Sequence, residues 1–317
     1  MRYLRQLVFE KIGPKRQEML ANSKVSIVGL GALGSIVADM LVRAGVGKVV
    51  LFDRDFVELS NLQRQSLYSE EDLNEPKVFA AENRLRKINS SIDIKSFFVD
   101  LDYDNSSLLR SDIILDCTDN FYTRFLVNDY AVKNNVPWIY AAVIGTTGTT
   151  FNVLPGNTCL GCIVKEPTAL LGTCDTEGII NTIPHAIASI QVTEAIKILT
   201  KQPSNKFLVH YDLWENKLTK IKVAKNPDCK PCNGVFQYLS GQKHAKIAKF
   251  CGSSSYQFRI SSVDVEKLSK KISKLGNVAI TPYCVLFKDM IIFKSGRVVI
   301  KADSEDKAKT IFTRYLT

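Results

Sequence analysis

Several features are missing from the sequence, and each absence removes a class of protein. No run of eighteen apolar residues is free of charge, so no membrane span is expected. The opening segment MRYLRQLVFEKIGPKR lacks an apolar core followed by a small-residue cleavage site. A secretory signal is therefore not expected, and a cytoplasmic location is. No internal repeat or low-complexity tract interrupts the chain, which excludes solenoids and disordered arrays. Lys and Arg outnumber Asp and Glu by 42 to 32, yet no block of like charge stands out. The excess reads as a dispersed, solvated face that can steer an acidic partner. No basic stretch interleaves with aromatics, so nucleic-acid binding is not expected. The three histidines, His185, His210 and His244, pair with no nucleophile and are assigned no chemistry.

What is present is an alternation of β-rich apolar runs and helical patterns through the first half, the mark of a parallel sheet with crossover helices. Strands are expected at 24–28, 48–53, 92–99 and 112–117, and helices at 33–44, 76–88 and 121–134. Late strands follow at 138–144 and 149–154, then an amphipathic helix at 184–199 and strands at 207–211 and 218–223. A polar, Lys-rich stretch at 240–249 reads as a boundary. Beyond it, a strand at 257–260, a helix at 263–274, three β-like runs and a helix at 305–315 suggest a small α+β module. The fold expected is therefore α/β, Rossmann-like and doubly wound, with a mainly parallel sheet and late antiparallel strands. Residues 1–239 form the main domain and 240–317 the module.

The chemistry concentrates early. Gly29-Leu30-Gly31-Ala32-Leu33-Gly34 follows a strand and opens a helix. In that context the first glycine permits the tight turn, the second lets a phosphate approach the backbone, and the third lets helix and sheet pack closely. Free N–H groups at the helix start bind anionic oxygens. Asp53, at the end of the next strand, is placed for ribose hydroxyls. The fingerprint alone does not separate NAD from ATP. Ser60-Asn61-Leu62-Gln63-Arg64 and Lys77 add two cations and several amide donors, and Asp116-Cys117-Thr118-Asp119-Asn120 ends a later strand. Transfer of adenylate to a carboxylate joins two anions and expels pyrophosphate, which needs cations and a carboxylate-held Mg²⁺. Arg64, Lys77 and Asp119 supply that set, for which hydride transfer has no use.

Of the eight cysteines, Cys159-Leu160-Gly161-Cys162 and Cys229-Lys230-Pro231-Cys232 have zinc-knuckle spacing. Two such pairs give a closed thiolate site, structural rather than catalytic. A redox pair or buried thiols are the alternatives. Cys117, at a strand end, reads as a small buried hydrophobe. Cys251 and Cys284 show no metal spacing.

These residues, in this order, resemble the ubiquitin-activating-enzyme superfamily and specifically its ThiF/MoeB-type branch. The matching segments are Arg2-Tyr3-Leu4-Arg5-Gln6, the glycine turn, Asp53-Arg54-Asp55, SNLQRQ at 60–65, Pro76-Lys77-Val78, DCTDN at 116–120 and both CxxC pairs. The resemblance covers residues 2–234. It implies ATP-dependent adenylation of the C-terminal carboxylate of a ubiquitin-like sulfur-carrier protein ending in Gly-Gly. The nucleotide would be held by Gly29, Gly31, Ala32, Gly34, Asp53, Asp55, Ser60, Asn61, Gln63, Arg64, Lys77, Asp119 and Asn120, with Asp119 on Mg²⁺. Arg5 would reach as an arginine finger into a neighbouring subunit, implying a homodimer. Cys174, in a polar segment with Glu177 where small residues are commoner, would be the cysteine that some members use covalently. No rhodanese-like domain is present, so a separate sulfur donor is expected. The C-terminal module resembles an extension on some prokaryotic members and is read as a docking element. The rivals are an NAD-dependent oxidoreductase, a zinc-bearing scaffold without catalysis, and a dehydratase that adenylates a carboxylate on tRNA.

Overall fold

The computed structural model describes residues 2–164, 177–243, 248–249, 255–260, 264–280, 284–293 and 296–316. The chain divides into two compact units, Met1–Gln242 and Lys243–Thr317.

In the first unit eight strands lie in the order β3-β2-β1-β4-β5-β6-β7-β8. β1 (Lys24–Val28), β2 (Lys48–Asp53), β3 (Asp93–Phe98), β4 (Ile113–Asp116) and β5 (Trp138–Ile144) run parallel. β6 (Thr147–Val153), β7 (Leu208–Asp212) and β8 (Lys217–Ile221) continue the sheet antiparallel. The helices are α1 (Leu4–Leu7), α2 (Gly13–Ala21), α3 (Ala32–Ala44), α4 (Lys77–Ile88), α5 (Phe121–Asn134), α6 (Leu160–Ile163) and α7 (Thr182–Leu199).

Alternation along each strand serves both faces of the sheet. Ile27, Leu51, Leu115 and Ile139 face one apolar layer with α3, α4 and α7. Val28, Val50, Phe52, Ile114 and Trp138 face the other with α5. Strands covered on both faces read as continuous apolar runs, which is why this half was easy to place. From β1 the chain winds outward through β2 to β3, and β4 then starts on β1's other side. The sheet's switch point therefore lies between β1 and β4, where open α/β sheets bind ligands beyond the carboxyl ends of the strands.

The second unit is a six-stranded antiparallel sheet in the order β11-β12-β13-β14-β10-β9, with helices α8 (Val265–Ile272) and α9 (Glu305–Leu316). The strands are β9 (Ala248–Lys249), β10 (Ser255–Arg259), β11 (Val278–Ile280), β12 (Cys284–Phe287), β13 (Met290–Phe293) and β14 (Arg297–Lys301). After α8 four strands stand where three β-like runs were expected. The stretch at 240–249 is no plain linker, because its last two residues pair with β10. Phe258, Phe287, Ile292, Val298 and Ile300 form this unit's core.

Among the described residues no helix is long and apolar enough to cross a membrane.

Candidate active site

The glycine turn lies at the switch point, and each glycine there has a measurable job. Gly29 sits at φ +88°, and a Cβ on it would come 2.7 Å from the Cys117 carbonyl oxygen. The turn after β1 is thereby pressed against the end of β4. A Cβ on Gly34 would lie 1.9 Å from the Gly29 carbonyl oxygen, so helix and turn are in backbone contact. Gly31 differs: the nearest atom to a Cβ there is Gln65 Nε2 at 3.8 Å, which leaves open space above the N-terminus of α3. That N-terminus has no side-chain cap, so its first amides are free for an anion.

Asp53 ties the turn to β2. Its Oδ2 accepts the Leu30 N–H (2.6 Å) and its Oδ1 accepts the Asp55 N–H (2.7 Å). Burial, then the neighbouring Asp55, raises its pKa; Lys77 and the two amides oppose the rise. A carboxylate offers about four acceptor positions, so ribose hydroxyls can still be received. Lys77 is buried, with Nζ 3.9 Å from Asp55 Oδ2, and its own N–H donates to the Asp55 carbonyl (2.9 Å). Arg54 donates from Nη1 to Asp100 (2.7 Å). Burial works against its charge, yet Asp100, Asp55 and Asp119 outweigh it and raise its pKa. Asp55, Lys77, Arg54 and Asp119 thus belong to one electrostatic neighbourhood.

The segment after β2 folds over the turn. Asn61 is buried and accepts the Glu58 N–H (3.2 Å). Arg64, half-buried, donates from Nη1 to the Ser60 carbonyl (2.9 Å), within its own turn. Ser60 and Gln63 are exposed. Gln65, two residues on, is 3% exposed. It presents Nε2 toward Gly31, while its Oε1 is buried without a partner. A buried amide left half-satisfied costs free energy, and this one lies beside the only open glycine of the turn.

On the β4 side, Asp119 is exposed and Asn120 caps α5 by accepting the Thr123 N–H (2.9 Å). A buried clamp holds this loop. Arg124 Nε lies 3.4 Å from Asp116 Oδ2, an ion pair too poorly aligned to count as a hydrogen bond, so both atoms lack a hydrogen-bond partner. Nη2 of Arg124 donates to the Thr118 carbonyl (2.6 Å), and Asp116 Oδ1 accepts from the Thr118 N–H and hydroxyl (2.9 and 2.7 Å). Burial raises the Asp116 pKa despite Arg124. Gln191 on α7, fully buried, donates to the carbonyls of Asp116 (2.9 Å) and Ile139 (3.1 Å), tying β4 to β5. Cys117 is buried, as expected of a small hydrophobe.

A glycine cradle, the Asp53 carboxylate, a cation and a carboxylate loop thus meet at one switch point. The ThiF family matches this chain over residues 3–231. The chain belongs to the ThiF family. The sulfur carrier protein ThiS adenylyltransferase of Bacillus subtilis is 41% identical over 99% of both chains. The molybdopterin-synthase adenylyltransferase of Escherichia coli is 36% identical, over 73% of this chain and 96% of its own. The crystal structure of E. coli MccB with ATP superposes with a TM-score of 0.65 at 27% identity, covering 73% of each chain.

Two features of this ThiF-family chain lie away from the crevice. Arg5 is exposed on α1. Tyr3 abuts Gly45, just past the C-terminal end of α3: a Cβ on Gly45 would lie 2.6 Å from the Tyr3 ring. α3 has 13 residues, so the N-terminal segment sits about 20 Å from the glycine turn. An arginine side chain spans about a third of that distance, so Arg5 falls short of the glycine turn.

The second feature is the thiol cluster. Sγ atoms of Cys159, Cys162, Cys229 and Cys232 lie within 4.8 Å of one another, with pairs at 3.4, 3.5 and 3.6 Å. Four ligands at about 2.3 Å from a tetrahedral zinc would stand about 3.8 Å apart, so the four thiols fit that ion. Asn128, fully buried, donates to Cys159 Sγ (3.7 Å) and accepts the Leu160 N–H (2.9 Å), orienting the first pair. Burial pushes the Cys229 thiol up to about 11, so a cation binding there would displace its proton. Cys174 and Cys251 lie outside the described residues.

Gln65, Arg54 and Arg124 were not singled out from sequence. The first lies inside the SNLQRQ segment and was available there. Arg124 had no signal, because an arginine in the first turn of a helix looks like any surface cation.

Proposed function

We propose that this chain uses ATP to adenylate the C-terminal carboxylate of a ubiquitin-like sulfur-carrier protein ending in Gly-Gly, releasing pyrophosphate. The observation that carries this reading is the meeting of the glycine cradle, Asp53, the Asp55–Lys77 pair and the Asp119 loop at the β1/β4 switch point. A carrier carboxylate oxygen attacks the α-phosphorus, a new P–O bond forms, and the bond to the bridging oxygen of the β-phosphate breaks. No proton moves in this step, so no general base is required. The requirement is to screen two anions from each other. The N-terminal amides of α3, Lys77 and Arg64 meet the phosphates, and Asp53 orients the ribose. Asp119, an exposed carboxylate beside the crevice, would hold Mg²⁺, which neutralises charge on the leaving pyrophosphate.

The remaining roles extend this reading. Arg5, too distant from its own turn, would serve a second subunit's site, so the working form is a homodimer. The four thiols would hold a structural Zn²⁺. Cys174 would accept the activated carrier, a separate protein would supply sulfur, and the enzyme would work in the cytoplasm.

The test combines the chain with candidate carriers, ATP and Mg²⁺, and follows ATP–pyrophosphate exchange and intact mass for an AMP adduct. Arg64→Ala and Asp119→Ala are each expected to abolish exchange while circular dichroism stays unchanged. Normal exchange in both variants would remove the site assignment. Thermal stabilisation by NAD, rather than by ATP with Mg²⁺, would favour the oxidoreductase instead.

A further inference from the structure

The charge excess is not dispersed. Fifteen of the 42 Lys and Arg residues but only six of the 32 Asp and Glu lie in Lys243–Thr317. That unit carries +9 of the chain's +10, leaving +1 for Met1–Gln242. The expectation of an even spread fails because the cations alternate with apolar residues instead of forming runs.

Part of this excess forms a ridge. α8 buries Ser269 and Ile272 and leaves Lys267, Lys270 and Lys271 exposed; Lys274 follows in the 3-10 turn Ser273–Leu275, also exposed. Positions 267, 270, 271 and 274 follow the i, i+3, i+4, i+7 pattern of one helix face. Among the described residues none of the four is ion-paired. Lys307 and Lys309 on α9, by contrast, meet Asp303 (2.7 Å) and Glu305 (2.8 Å). Like charges at these spacings destabilise a helix, so the ridge costs the unit stability.

Beside the ridge is an open sheet edge. β11 pairs with β12 on one side and, among the described residues, ends the sheet on the other. α8 packs against β11 and β12. Ile280 on β11 is 61% exposed and Leu275 53% exposed. Among the described residues the face therefore offers an outer strand edge, exposed apolar side chains and four cations without an ion pair.

We propose that this face docks the body of the carrier protein, seating an acidic surface on the lysine ridge and a strand or loop of the carrier on edge β11. The inference rests on the adenylation reading, in which the crevice takes only the carrier's tail. Strand addition would supply backbone affinity, and charge complementarity would speed encounter and fix register. A second copy is a poor occupant, since two +9 units repel. Nucleic acid also fits poorly. Tyr256, Phe258, Phe287 and Phe293 are all buried, leaving phosphate attraction without those rings as stacking platforms.

The test uses the full chain and the triple variant Lys270→Glu, Lys271→Glu, Lys274→Glu, with the corresponding Gln variant as a milder control. Carrier-dependent exchange is measured at low and high salt, and ATP binding by thermal shift. The Glu variant is expected to raise the carrier KM about tenfold and to flatten its salt dependence, while the Gln variant shows a smaller rise. kcat and the ATP-induced shift should not move. An unchanged carrier KM and salt slope in the folded Glu variant would overturn docking and leave adenylation standing. So would loss of binding to a single-stranded oligonucleotide with the carrier KM intact, which would assign the ridge to nucleic acid. A wild-type chain that exchanges with no Gly-Gly carrier would sink both readings.

Discussion

The two units use the same residue types for opposite ends. In the first unit charged groups turn inward and find partners. Arg124 with Asp116, Lys77 with Asp55 and Arg54 with Asp100 all stand at or behind the crevice. In the second unit the lysines of α8 are exposed and, among the described residues, form no ion pair. Inward charges fix the geometry of a site, because each must be satisfied locally or the fold loses stability. Outward charges fix nothing inside and act at a distance on whatever approaches.

The contrast breaks first at Arg124. If its role is the buried clamp, Arg124→Ala strands the Asp116 carboxylate and should destabilise the first unit by about 3–5 kcal/mol in a denaturant melt. A loss similar to that of a surface lysine on α8 would erase the distinction between the units.

The glycine turn sharpens it next. Gly34→Ala forces a methyl into the Gly29 carbonyl and should cost about 1–3 kcal/mol or more of stability. Gly31→Ala meets no protein atom closer than 3.8 Å. It should cost less stability than Gly34→Ala but abolish most of the ATP-induced rise in Tm. Equal stability losses for the two would mean that Gly31 is no ligand position.

The smallest effect is expected at Gln65. Gln65→Leu removes a buried, unpartnered oxygen, so the unliganded chain should gain between zero and about 1 kcal/mol, while the ATP-induced rise in Tm shrinks. A variant that binds ATP normally would make the amide a packing residue.

How far these features could be read beforehand depended on period and proximity in sequence. β1, β2, β5 and α5 were placed at their observed bounds, because buried parallel strands are apolar throughout and α5 is bracketed by Asn120 and an αL Asn135. The mainly parallel, doubly wound character of the sheet followed from alternating strands and helices. The short strands of the second unit blurred into fewer runs, since β12 and β13 are joined by only two residues. At the site, residues in recognisable clusters carry a signal in the sequence and lone partners do not. The Arg124 clamp joins β4 to α5 across a loop, and nothing in the string of letters says which way an arginine turns. Between Gln63 and Gln65 the choice was one of register: the fold exposes the first and buries the second against the turn. The lysine ridge was overlooked for a similar reason, as runs catch the eye and helical spacing does not.

The thiol cluster sets an order of events during synthesis. Cys229 follows Cys159 by 70 residues. At ribosomal speeds that gap lasts on the order of 4–14 s, during which the first pair must wait reduced. β7 and β8 emerge within the same interval. Closure of the cluster thus waits until nearly all of the first unit has been made, before the lysine-rich unit leaves the ribosome.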